Sequence, residues 1–93
     1  MDNERHVDGN ALAGLFHDVF GREMTHECAC CARCGAENQL GAAWVYRAAG
    51  DVLRCPNCES IVMVIVQNTD GFRVSFESMR WLRIRMSHAK ERL

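Results

Sequence analysis

A chain of 93 residues, 48% hydrophobic and 25% charged, with a formal net charge of −1, is expected to form one soluble globular domain with a modest core. No apolar run approaches the roughly 20 residues needed to span a bilayer, and the polar start Met1-Asp2-Asn3-Glu4-Arg5-His6 leads into no secretory segment, so a cytoplasmic setting is expected. There the six cysteines point to metal rather than disulfides.

The near-zero charge hides an asymmetry. Residues 1–30 carry six acids against two arginines, whereas residues 72–93 carry five arginines and one lysine against two glutamates. The two ends either neutralise each other across the fold or offer a basic face to an anionic partner. The first reading is favoured, because nucleic-acid binders are usually net basic.

In chain order, residues 1–8 read as a disordered start. Leu12, Leu15, Phe16, Val19 and Phe20 then form a single helical stripe, with Asp8 or Asn10 able to cap its beginning and Gly21 its end. This predicts a helix over residues 9–20. His17 on its flank reads as a surface residue. Residues 22–30 form a connector into the cluster Cys28-Ala29-Cys30-Cys31.

Two C-x2-C pairs dominate the middle of the chain: Cys31-Ala-Arg-Cys34-Gly35 and Cys55-Pro56-Asn57-Cys58, separated by 20 residues, 35–54. Four thiolates satisfy a tetrahedral Zn²⁺ and leave no open position, so one structural zinc is expected on Cys31, Cys34, Cys55 and Cys58. Gly35 can take the left-handed conformation that turns backbone amides towards the sulfurs. Cys28 and Cys31 offer a competing register, which the glycine after Cys34 disfavours. Cys28 and Cys30 are then spare, partly exposed thiols, and His26 stands near enough in sequence to join them in a second site.

Within the spacer, residues 42–47 and 52–54 read as a hairpin around Gly50-Asp51. Residues 61–66 read as a central strand covered on both faces. After the loop at residues 68–71, Phe72, Val74 and Phe76 alternate with polar residues in a half-buried strand. Leu82, Ile84 and Met86 alternate with Arg83 and Arg85 in a last strand, and residues 87–93 form a polar tail. The expected fold class is α+β: a zinc ribbon-like antiparallel β-sheet over residues 31–86, with one N-terminal helix packed on it.

The paired cysteine turns resemble those of zinc ribbons, which implies that each sits at the mouth of a β-hairpin. Asp8-Gly9-Asn10-Ala11-Leu12-Ala13-Gly14, followed by the cysteine pairs and terminal β-segments, resembles a small bacterial family of unknown function with a ribbon-type zinc site; that resemblance implies no activity. Cys55-Pro56-Asn57-Cys58 with Ser60 is also similar to the zinc domain of hydrogenase nickel-insertion metallochaperones. Their Met-His-Glu nickel-binding start is replaced here by Met1-Asp2-Asn3.

An enzyme is not expected. Zinc held by four cysteines has no place for a reactive water, and no nucleophile–base set or phosphate-cradling loop stands out. A redox C-x-x-C normally opens a helix, whereas these neighbours read as strands. The expected role is a macromolecule-binding or scaffolding module, with a lean towards nucleic acid through Arg80, Trp81, Arg83 and Arg85. Trp81 read alone is better placed in the core or against the helix. A protein–protein adaptor or a metallochaperone-like domain is the alternative.

Overall fold

Why the cysteine turns meet becomes clear once the strands between them are placed. The computed structural model describes residues 6–86. Its elements, in chain order, are β1 (His6–Asp8), a 3-10 turn (Gly9–Leu12) running into α1 (Ala13–Phe20), β2 (Cys28–Cys31), β3 (Glu37–Gln39), a second 3-10 turn (Leu40–Ala42), β4 (Trp44–Arg47), β5 (Asp51–Arg54), β6 (Ile61–Asn68), β7 (Gly71–Phe76) and β8 (Met79–Leu82). The strands form two antiparallel sheets, one in the order β1-β4-β5-β6-β7 and the other in the order β3-β2-β8. The fold is therefore α+β, with two sheets where the sequence suggests one.

The helical segment covers residues 9–20 as the apolar stripe predicts, though its first turn is 3-10. Asp8 caps it, its Oδ1 accepting from the Asn10 amide at 3.2 Å. Gly21 ends it at φ 76°, donating to the His17 carbonyl. Leu12 and Phe16 reach the core, where they join Met24, Leu40, Val45, Leu53, Met63 and Ile65, all fully or almost fully buried. Leu15, Val19 and Phe20 pack on its margin. Burying a side chain such as Phe16 contributes about 1.5–3 kcal/mol.

Several expectations need correction. His6–Asp8 is not disordered: it pairs with Trp44–Tyr46, and His6 stacks on Trp44 at 4.6 Å between ring centroids. Residues 1–5 and the tail at 87–93 lie outside the described residues. Within the supposed connector, Cys28–Cys31 is the middle strand of the smaller sheet, since β3 and β8 pair along its two sides. Cys30 is buried, only 5% exposed, so it is not a partly exposed thiol.

β6 is covered on both faces only at its start, where Val62 and Met63, on opposite faces, are both buried. Met63 and Ile65 are buried, while Val64 and Val66 are only half-buried. Phe72 and Phe76 are exposed at the outer edge of the larger sheet. The last strand ends at Leu82, leaving Ile84 and Met86 exposed. It also leaves the larger sheet. Ser78 donates to Ile61 at the start of β6 and accepts from Ala32, so the chain crosses at that residue to pair with β2.

Candidate metal centre

Each C-x2-C turn closes a hairpin: Cys31–Cys34 lies between β2 and β3, and Cys55–Cys58 between β5 and β6. The two turns are built alike. Cys31 N donates to Ala36 O and Cys55 N to Ser60 O, both at 2.9 Å. Gly35 N returns to Cys31 O at 2.9 Å and Glu59 N to Cys55 O at 2.8 Å. Arg33 N and Asn57 N each stand 3.4 Å from the first sulfur of their own turn. Both turns need a left-handed residue after the second cysteine. The first has Gly35 at φ 80°, and the second forces Glu59 to φ 66°. That conformation costs a non-glycine residue about 1–2 kcal/mol, a strain the turn retains because it directs the amides at the sulfurs.

The four sulfurs converge, all lying within 4.8 Å of one another. Cys31 Sγ is 3.6 Å from Cys58 Sγ, and Cys34 Sγ is 3.7 Å from Cys55 Sγ. Four sulfurs at about 2.3 Å from a tetrahedral zinc would stand about 3.8 Å apart. The donor set fits, and the cluster can hold a metal ion such as zinc. Asn38 Nδ2 donates to Asn57 Oδ1 at 2.9 Å and so ties the two turns together. Sequence reasoning misses this bridge, because Asn38 and Asn57 are 19 residues apart and meet only when the two hairpins are packed.

The sulfurs are not equivalent. Hydrogen bonds from the Ser60 hydroxyl, 3.3 Å away, and from its amide bring the Cys58 thiol down to about 6. At Cys34 the Ala36 amide favours the thiolate, but desolvation and the sulfurs of Cys55, Cys58 and Cys31 outweigh it and push the thiol up to about 12. Cys58 therefore ionises readily, whereas Cys34 resists negative charge.

The second site considered on the sequence does not assemble. Among the described residues no other group of three or more Cys, His, Asp or Glu side chains converges. His26 instead lies 3.2 Å from Glu23, whose carboxyl is held down to about 2, chiefly by the Thr25 hydroxyl and then by His26. Cys30 Sγ sits 3.6 Å from the Gly35 carbonyl, beneath the first turn.

The structure divides the four basic-segment residues: Arg80, Trp81 and Arg83 are exposed, whereas Arg85 is engaged. Trp81 stands opposite Cys30 across the β2–β8 ladder and is 36% exposed, so it lies outside the core. Arg80 and Arg83 are exposed. Because β8 stops at Leu82, Arg83 and Arg85 do not share a strand face with Trp81. Arg85 is engaged: its Nε lies 3.3 Å from Oε1 of the buried Glu27, and its carbonyl accepts from Arg22. Arg22 pairs with the other Glu27 oxygen at 3.2 Å. At this point one residue of the basic segment, Arg85, meets one of the acidic segment, Glu27, across the fold.

Two hairpins from different sheets, joined at a four-cysteine cluster and backed by one helix, define a ribbon-like α+β module. The chain belongs to DUF6510, a family of unknown function whose model matches residues 3–87. No curated protein and no solved structure matches it. Among the described residues no helix is long and apolar enough to cross a membrane.

Proposed function

We propose that the chain is a non-catalytic module, stapled by one structural zinc on Cys31, Cys34, Cys55 and Cys58, that presents a surface to a macromolecular partner. The observation that carries this reading is the placement of the sulfurs, two on a hairpin of each sheet, so that one ion joins two sheets. Full coordination by four thiolates leaves the ion no position for substrate, which favours binding over catalysis.

Metal affinity should rise with pH. At pH 7 Cys58, at about 6, is already a thiolate, whereas Cys34, at about 12, keeps its proton, which the metal must displace. Apparent affinity should then climb at least about tenfold per pH unit above 6, and more steeply below 6, where Cys58 must also lose a proton. Chelator competition at pH 5.5, 7 and 8 measures this. An affinity indifferent to pH would remove the cysteines as ligands.

For the partner, the exposed Arg80, Trp81 and Arg83 support nucleic acid, with arginines meeting phosphates and the indole stacking on a base. Arg85 contributes less because Glu27 already holds it. Labelled single- and double-stranded DNA and RNA should bind at low salt and weaken steeply as salt rises, and Arg80→Ala/Arg83→Ala should reduce the affinity about tenfold. Absence of binding at low salt, or indifference to the double variant, would leave the protein-adaptor reading.

A further inference from the structure

We infer that β7 is a homodimer edge, pairing antiparallel with β7 of a second copy about a two-fold axis at Ser75. β7 is an outer strand, hydrogen-bonded to β6 on one side, with no strand among the described residues on the other. At six residues it is longer than the other outer strands, β1, β3 and β8.

The hydrogen-bond parity fixes which groups are free. Asn68 faces Gly71 across a two-residue turn, and Glu77 N donates to Val62 O at 3.0 Å. The odd-numbered residues of this segment therefore face β6, and the amides and carbonyls of Phe72, Val74 and Phe76 point away from it. The side chains of these three residues lie on the face of the buried Met63 and Ile65, which stand opposite Phe76 and Val74, while Phe72 stands opposite the exposed Gln67. Phe72 and Phe76 are 36% and 51% exposed there, so the apolar face runs past the core to the sheet's rim.

The occupant follows from the charges on the opposite face. With the axis at Ser75, Val74 forms hydrogen-bonded pairs with Phe76 of the second copy, and Arg73 falls opposite Glu77 of the second copy, twice by symmetry. Directly opposed unlike charges stabilise such a pairing, whereas like charges oppose it. Both side chains are exposed, and among the described residues neither has an ion-pair partner. An isolated charge on an edge strand usually blocks edge-to-edge association; here the two charges complement each other and close the pairing at two copies.

Sedimentation equilibrium of the full chain should show a monomer–dimer equilibrium. Arg73→Glu or Glu77→Arg alone should weaken it at least about tenfold, and the two together should restore it, since the swapped pair is again complementary. Hydrogen exchange of the unaltered chain should show the Val74 and Phe76 amides becoming slower as concentration rises, while Phe72, which falls opposite the already engaged Ser78, should not change. A chain that stays monomeric at millimolar concentration, or a dimer whose Val74 and Phe76 amides exchange at the monomer's rate, overturns the proposal. A dimer indifferent to both charge reversals overturns the register.

Discussion

Removal of the metal is expected to unfold the chain. The smaller sheet has strands of four, three and four residues, too short to hold by themselves. It meets the larger sheet at the cysteine cluster, the Ser78 crossover and the packing of Ala29, Cys31, Met79 and Leu82 on the core. Structural zinc on thiolates contributes an apparent ~10–16 kcal/mol at neutral pH, comparable with the entire stability of a small domain, about 5–15 kcal/mol. Elemental analysis should give one zinc per chain, and chelation should abolish the cooperative thermal transition followed by circular dichroism. Cys31→Ser and Cys55→Ser should do the same, because each leaves a buried position without its ligand. Cys28→Ser should keep the metal ratio near one. A chelated chain that remains cooperatively folded would defeat the staple.

The second large effect lies far from the cysteines. Gly9→Ala should destabilise the metal-loaded protein by about 3 kcal/mol, the upper part of the range for overpacked sites, and lower Tm by roughly 12–24 °C. A Cβ at Gly9 would stand 1.8 Å from the Leu40 carbonyl oxygen and 2.8 Å from its carbon. Both are backbone atoms, so no rotamer change relieves the clash. The reverse contact is also tight, since a Cβ at Gly41 would meet the Asn10 side chain at 2.5 Å and the Thr25 carbonyl at 3.0 Å. Gly9 and Gly41 thus let the two 3-10 turns approach. Gly14, five residues on, has no such neighbour within 4 Å, and Gly14→Ala in the helix should stabilise by about 1 kcal/mol. Thermal melts of the two variants should move in opposite directions. A neutral Gly9→Ala would show that the turns can separate without cost.

Local chemistry determined a good part of this molecule. The helical stripe from Leu12 to Phe20 has one period and one glycine stop, so residues 9–20 could hardly fold otherwise. The two C-x2-C turns are each complete within a few residues, and their glycine or strained counterpart follows from the loop geometry alone. The hairpins around Gly50 and Asn68-Thr69-Asp70-Gly71 are likewise short-range features. The resemblance carried by Asp8–Gly14 points to a family, and family membership is what the comparison supports, without a function attached.

Tertiary structure decided what lay between these signals. Cys28–Cys31 has neither β-branched nor aromatic residues, and it becomes a strand only because β3 and β8 supply partners on both sides. Nothing local says that the chain should leave the larger sheet at Ser78, yet that crossing divides one expected sheet into two and ends the last strand at Leu82. The crossing also sets Trp81 over Cys30 and brings Arg85 to Glu27, 58 residues away, so Arg85 is withdrawn from the basic run. Alternation in sequence states which residues share a face of a strand; whether that face is covered depends on the elements that arrive from elsewhere, as the exposed Phe72 and Phe76 illustrate.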